Sequence, residues 1–192
     1  MQMPPEIFIL AFPKLRRSHI KAAQTMRKEE LEALFLMFSR QLEEHVRMLA
    51  EGLDYSYVLA EMKKSKLIPE PTGAWEYYAE PILKIMSQIG KKNPNLKIHC
   101  FGDPFYESFS NETAVKLMIL TFRALVTKKV KIEEWKKTLL DELNSNLEAF
   151  EEEAEFIADR TKKYQRAYCL YGLDGQKLKH RLSQKGMYTS LG

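Results

Sequence analysis

Three short apolar runs, each followed by a turn-forming segment, predict buried β-strands. They span residues 6–12, 96–101 and 167–171 and are rich in Ile, Phe, Leu, Tyr and Cys. The first run lacks polar alternation, which is typical of a strand that is covered on both faces. Long segments separate the three runs, so the sequence predicts parallel strands joined by right-handed crossovers within one sheet.

Most of the remaining apolar residues recur at helical spacing. Between residues 31 and 49 they return every three or four positions until Gly52, which predicts one long amphipathic helix or two abutting ones. The run Leu34 to Phe38 is apolar all round, so it is expected to be deeply buried or to face a partner, and burial is favoured. Further helices are predicted over 54–62, 75–89, 111–126 and 176–186. Gly90 is predicted to end the second of these.

Helical spacing is most extensive between residues 132 and 157, where Lys and Glu occupy many of the other positions. The apolar residues predict a buried stripe that includes Trp135, Leu139, Leu143, Leu147 and Phe150. A sheet of so few strands offers little surface for so much apolar helix. Part of the stripe is therefore expected to lie in a homodimer contact, and the chain is expected to form a homo-oligomer.

These elements predict a helix-dominated α/β fold, in which long helices flank a small, mostly parallel sheet of about three short strands. Gly and Pro number eight each, too few for a loop-rich β-sandwich. The length of 192 residues suits a single α/β domain spanning 1–192. Because the predicted strands are few, the alternative that the chain is a fragment, or one half of a larger assembly, stays open.

Composition and charge narrow the class of protein. Hydrophobic residues make up 45% of the chain and charged residues 29%, as in folded globular proteins. The net charge of +4 is modest and lacks the dense basic face of dedicated nucleic-acid binders, which argues against a nucleic-acid partner. No leader sequence is evident and no apolar run approaches the roughly 18 residues of a membrane span. We therefore expect a cytoplasmic protein without a membrane partner.

The two cysteines, Cys100 and Cys169, lie within strand-like runs and have neither disulfide nor metal spacing. Both are expected to be buried thiols in a reducing compartment. His99, beside Cys100, is interpreted as a histidine of the core or sheet face rather than as a ligand. No metal site is predicted, and no cofactor is indicated.

A basic segment follows the first predicted strand and precedes a helix. It contains Lys14, Arg16, Arg17 and His19. Ligands of parallel sheets bind outside the carboxyl ends of the strands, and a helix N-terminus favours an anion. The segment therefore predicts a site for a small anionic ligand, and the alternative is a solvated basic turn.

Two carboxylates follow the other predicted strands. Asp103 could hold a metal, orient a histidine or bind a ribose hydroxyl, and the alternative is an ordinary turn and helix cap. Asp174 lies in the Gly172 to Gly175 turn, which lacks the glycine fingerprint of a phosphate-binding loop. Arg160 could add a fork-shaped donor for an anion. The predicted ligand site thus lies between the first basic segment and the Gly172 turn.

The C-terminal segment resembles the Tiki/TraB/haem-uptake/erythromycin-esterase superfamily. An acidic helix ends in Ala-Asp-Arg-Thr at 158–161, before the strand 167–172 and the helix 176–185. In that superfamily a charged helix end containing an arginine precedes a strand, a Gly-x-x-His-type turn and a helix. The resemblance covers the two chain ends and implies that Arg160 is a site residue.

The histidine motifs of the superfamily are missing. Asp174-Gly175-Gln176 occupies the position of the second histidine, and Pro13-Lys14 replaces the acidic and histidine pair of the first motif. The resemblance therefore implies a binding-only descendant of a metal-dependent hydrolase.

The residues contain no complete catalytic set. Gly-x-Ser-x-Gly, a Walker loop, His-Glu-x-x-His and paired Cys-x-x-Cys motifs are all absent from the sequence. The predicted function is accordingly a non-enzymatic ligand-binding or protein-interaction protein. The alternative is a metal- or phosphate-dependent hydrolase-like enzyme acting at the carboxyl ends of the strands.

Overall fold

The computed structural model describes residues 5–192, apart from the side chain of Glu107. The strands are β1 (Glu6–Ala11), β2 (Ala33–Ser39), β3 (Lys97–Gly102), β4 (Arg166–Tyr171) and β5 (Tyr188–Leu191). The helices are α1 (Arg16–Met26), α2 (Glu43–Ala50), α3 (Tyr55–Lys64), α4 (Thr72–Lys92), α5 (Pro104–Thr127), α6 (Ile132–Thr161) and α7 (Gly175–Gln184). A short 3₁₀ turn, Arg40–Leu42, joins β2 to α2.

The strands form one parallel sheet in the order β3-β2-β4-β1-β5. The predicted helix-dominated α/β fold with a parallel sheet is confirmed. The prediction of about three strands was wrong, because the sheet has five strands. Both missed strands, β2 and β5, depend on pairing with segments distant in sequence.

Strand β2 lies inside the segment 31–49 that was expected to be entirely helical. The run Leu34 to Phe38 is buried apart from a half-buried Met37, as its all-round apolar character indicated. β2 pairs with β3 on one side and β4 on the other, so it needs apolar side chains on both faces. Such a run fits a central strand as well as a buried helix, and the pairing decides between them.

One face of the sheet packs against α1, α2, α3 and α4. Strand residues in this part of the core include Leu10, Leu34, Leu36, Ile98, Cys100, Tyr168 and Leu170. The alternate side chains point to the other face and are also buried, among them Ile9 and Phe35. Helix α7 lies against that second face, because a Cβ placed on Gly175 would stand 2.4 Å from the Cβ of Ala11.

The chain divides into two compact units. The first contains the residues up to Gly102 together with Ala154–Gly192, and so holds the sheet. The second unit, Asp103–Glu153, contains α5 and most of α6. Within it, Arg123 lies 3.7 Å from Glu134 and Tyr106 donates a hydrogen bond of 2.9 Å to Glu152. The two helices of this unit therefore run antiparallel as a hairpin.

The predicted burial of the α6 stripe within the chain was wrong for three leucines. Leu139, Leu143 and Leu147 remain 51%, 55% and 54% exposed, whereas Trp135 and Phe150 are half-buried. The half-buried positions of α6 are largely small or polar and lie on a different side of the helix, at Thr138, Glu142, Ser145 and Ala149. Ser110 of α5 donates a hydrogen bond to Glu142, so this side faces α5 and the leucine stripe does not.

Within residues 5–192, none of the helices combines the length and the apolar character that crossing a bilayer requires.

Candidate functional site

A cavity of about 370 Å³ opens in the sheet-containing unit, at the carboxyl end of β2 and beside β3. Its walls are formed by Arg40, Gln41, Glu43, Glu44, Cys100, Phe156 and Arg160. A volume of this size lies at the lower end of the range of small-molecule sites. Four of the seven lining residues are charged, so polar recognition dominates its chemistry.

The local sequence explains how these side chains meet. The side chain of Ser39 accepts a hydrogen bond of 3.4 Å from the backbone N–H of Gln41, which turns the chain out of β2 and places Arg40 at the strand end. Phe156 and Arg160 are four residues apart in α6, so they lie on the same side of the helix. Glu43 and Glu44 form the first turn of α2.

Two arginines stack on one aromatic ring at this cavity. The guanidinium carbons of Arg160 and Arg40 lie 4.1 Å and 4.7 Å from the ring centroid of Phe156. The Nε atom of each arginine is buried and has no hydrogen-bond partner in the described part of the chain. Stacking on an aromatic face holds a guanidinium in place without using its N–H donors. The cavity therefore has cationic donors available to a ligand.

The two carboxylates of the cavity wall already have donors. Glu44 is paired with Arg47, the residue three positions along α2. Glu43 accepts a hydrogen bond of 2.9 Å from the backbone N–H of Cys100. Because β3 lies at the end of the strand order, this bond satisfies an N–H on the unpaired edge of the sheet. Each carboxylate thus has a donor other than Arg40 and Arg160.

His99 lies next to this arrangement on β3. Its Nε2 lies 2.8 Å from the hydroxyl of Tyr164, and its buried Nδ1 lies 3.9 Å from Glu43 without forming a hydrogen bond. Burial, followed by the positive charges of Arg160, Lys163 and Lys97, lowers the pKa of His99 to about 4. The imidazole is therefore neutral at pH 7, and its contact with Glu43 is not an ion pair.

We expect the folded protein to lose stability as the pH falls from about 6.5 to about 4. Over that interval the unfolded chain protonates His99 and the folded chain does not, so the unfolded state binds more protons. After allowance for solvent screening, His99 should account for about 1–2 kcal/mol of this loss. Urea titrations at several pH values would measure it.

The His99→Gln variant should show a flatter pH profile than the parent chain over this interval. His180→Gln is the matched control, because His180 is an exposed histidine of α7. Equal pH profiles for the His99 variant and the parent would contradict the assignment.

Cys100 contributes its backbone rather than its thiol to the chemistry of the site. Burial and the charge of Glu43 raise the pKa of the Cys100 thiol, so it stays protonated and is a poor nucleophile. Both Cys100 and Cys169 are buried thiols, as predicted. No cluster of three or more metal-ligating side chains occurs among the residues that the structure describes.

The structure places the basic residues after β1 in separate surroundings. Arg16 pairs with Glu80 at 2.5 Å, donates to the carbonyl of Tyr77 and stacks on the Tyr77 ring. His19 is buried, and its Nδ1 lies 3.0 Å from the carbonyl of Leu15. Burial lowers the pKa of His19, which favours its uncharged form. The remaining two residues of the segment, Lys14 and Arg17, are exposed.

The two predicted carboxylates each have a local role. Asp103 caps α5, because its side chain accepts a hydrogen bond of 2.8 Å from the backbone N–H of Phe105. Asp174 is exposed and lies 2.8 Å from the ammonium of Lys177, one turn further along. Of the residues that the sequence singled out, Arg160 lines the cavity.

Sequence reasoning missed Arg40 and Phe156. The spacing of Phe156 could have predicted its place in the site, because an aromatic residue four positions before an arginine on a helix lies next to that arginine. Arg40 directly follows a strand, the position where ligands of parallel sheets bind. It was overlooked because its strand had been interpreted as part of a helix.

Comparisons with known proteins identified no relative of this chain. No family model, curated protein or solved structure matches the chain. The resemblance to the Tiki/TraB/haem-uptake/erythromycin-esterase superfamily therefore stays a prediction.

Proposed function

We propose that this protein binds a small anion, a phosphate- or carboxylate-bearing compound, in the cavity between Arg40 and Arg160. The observation that carries the proposal is the pair of guanidinium groups stacked on Phe156 without a carboxylate partner among the described residues. A guanidinium presents parallel N–H donors that match the oxygen spacing of carboxylate and phosphate. An anion would also provide the acceptors that the two buried Nε atoms lack.

The electrostatic balance of the cavity supports this class of ligand. A free carboxylate on the wall would compete with an anion for the arginines, but Glu43 and Glu44 are held by the Cys100 N–H and by Arg47. The ring of Phe156 adds an apolar wall for the carbon skeleton of the ligand. This supports binding of a small organic anion better than binding of a bare cation.

Inorganic phosphate and a small dicarboxylate are the probes for a binding test by calorimetry and thermal shift. A probe at a hundredfold its dissociation constant should stabilise the parent chain by about 2.7 kcal/mol. Arg160→Gln and Arg40→Gln should each weaken binding about tenfold or more, because each removes a charge-assisted hydrogen bond.

Arg17→Gln is the matched control for these variants, since Arg17 is an exposed arginine of the segment first expected to bind the anion. Binding by this variant should equal that of the parent. Equal losses for Arg17→Gln and Arg160→Gln, or no binding by the parent, would contradict the proposal.

His99 supplies a second readout of the same binding. The charge of Arg160 is one of the causes that lower the pKa of His99. An anion on Arg160 should offset that charge and move the pKa upward, which a titration of the imidazole followed by NMR would detect. An unchanged pKa at saturating ligand would place the anion away from Arg160.

A second candidate function, protein interaction, is favoured by the helical hairpin of residues 103–153. Large apolar side chains that are 45–68% exposed recur along it. They are Phe105, Val115, Met118, Ile119, Phe122, Leu125, Val126, Val130, Ile132, Leu139, Leu140, Leu143 and Leu147. Apolar surface on this scale marks interaction sites in soluble proteins. We therefore propose that the hairpin is a protein-binding surface.

A further inference from the structure

Helix α5 has an outer face whose spacing is that of a helix-pairing surface. Val115, Met118, Phe122 and Leu125 follow one another at intervals of three, four and three residues, and they are 50–67% exposed. Ile119 and Val126 flank this row and are 45% and 65% exposed. A row repeated every three and four residues is the seam by which two helices pack side by side.

The packing within the hairpin uses the opposite side of α5. Thr113 and Leu120 are buried at 3% and 8% exposure, and Leu117 and Ala124 are half-buried between and beyond them. These positions also recur at intervals of three and four residues, and they lie about half a turn away from the outer row. The outer row of α5 therefore stays exposed after the hairpin has formed.

Charge is divided sharply along the hairpin. Residues 116–140, which include the tip, contain seven Lys or Arg and two Glu. Residues 103–115 and 141–153, at the other end, contain nine Asp or Glu and no Lys or Arg. One end of the hairpin is thus basic and the other acidic. A second hairpin lying antiparallel to the first would bring each basic tip against an acidic end.

We propose that the outer face of α5 packs against the same face of a second copy of this chain, with the two helices antiparallel about a two-fold axis. This inference rests on the proposed role of the hairpin as a protein-binding surface, and it names the partner. In a two-fold contact, the same surface of each copy meets its equivalent on the other copy. The hairpin suits such a contact because one of its ends is basic and the other is acidic. Parallel pairing would instead bring like charges together along the whole hairpin.

The two-fold axis fixes which residues meet. With the axis at the centre of the row, Val115 lies opposite Leu125 of the second copy. Glu112 precedes Val115 by three residues, and Lys128 follows Leu125 by three. Glu112 of each copy therefore lies near Lys128 and Lys129 of the other. The contact has an apolar centre and a charged pair at each end, the arrangement found in specific interfaces.

Sedimentation equilibrium and light scattering of the full chain test whether the partner is a second copy. The parent chain should be a dimer at micromolar concentration. Phe122→Lys should weaken the dimer at least about thirtyfold, because it buries an unpaired charge at the centre of the contact. Leu140→Lys is the matched control and should remain dimeric, since Leu140 is an exposed apolar residue of α6, outside the proposed contact face.

Charge exchange tests the orientation. Glu112→Lys should weaken the dimer, and so should the double variant Lys128→Glu, Lys129→Glu. Combining all three substitutions should restore much of the affinity, because the charges again oppose each other across the two copies. Far-ultraviolet circular dichroism would confirm that every variant keeps its helices. A dimer that is lost in the triple variant as fully as in the single one would overturn the antiparallel arrangement.

A hydrophobic dye separates failure of this inference from failure of the interaction surface. A monomeric parent chain overturns the pairing of two copies. If that monomer binds the dye and Phe122→Lys does not, the face is open to a different protein and the hairpin remains an interaction surface. If the monomer binds no dye, the proposed interaction role of the hairpin fails as well.

Discussion

Phe35→Ala is expected to lower the free energy of unfolding by about 3–5 kcal/mol, the usual cost of deleting a buried aromatic side chain. Phe35 is fully buried in β2, and its ring centroid lies 5.1 Å from that of His99 on β3. The residue pairs with His99 on one side and Cys169 on the other. Truncation would leave a cavity in the centre of the sheet, where the strands on both sides hold the backbone in place and limit collapse.

Urea denaturation followed by circular dichroism would measure this loss. Phe35→Leu is the graded control and should cost clearly less than Phe35→Ala, because most of the apolar volume remains. A cost near zero for Phe35→Ala would show that residues 33–39 do not form a central buried strand.

Gly90→Ala is expected to destabilise the protein by about 2–3 kcal/mol, toward the upper end of the range for overpacking. Gly90 lies inside α4, where the helix passes very close to the end of α2. A Cβ at this position would stand 2.0 Å from the carbonyl oxygen of Ala50 and 2.7 Å from its carbonyl carbon. Both atoms belong to the backbone, so relief of the contact requires the two helices to separate.

Gly73→Ala is the control for this prediction, since it makes the same change in the same helix. No atom lies within 4 Å of a Cβ placed there, and alanine has the higher helix propensity. This variant should therefore be neutral or stabilising by up to about 1 kcal/mol. Thermal unfolding of the two variants side by side would test the contrast, and equal destabilisation by both would contradict the close α2–α4 approach.

Local sequence patterns were sufficient to predict much of the fold. The runs 6–12, 96–101 and 167–171 coincide with β1, β3 and β4 to within a residue at either end. Each is short and apolar and ends at a turn, so neighbouring residues alone determine its extent. The periodicity of residues 132–157 likewise predicted α6, because that periodicity belongs to the helix itself.

Much less of the candidate site could be predicted from the sequence. Arg160 was singled out, but Arg40 and Phe156 were not. The cavity combines a strand end with a helix more than a hundred residues further along the chain. The basic segment after β1 has a strong local charge, yet Arg16 is already paired with Glu80 of α4. A count of charges in sequence does not show which charges have partners in the folded chain.

The sequence by itself determined the fold class, the three strands with clear boundaries and the amphipathic helices, because these depend on spacing between near neighbours. Only the tertiary structure decided that Leu34 to Phe38 forms a strand, since that conformation is stabilised by β3 and β4 on either side. It also showed that Gly90 lies inside α4 and does not end it, and that the close approach of Ala50 requires a residue without a side chain at this position. In both cases the deciding contact comes from residues that are remote in sequence.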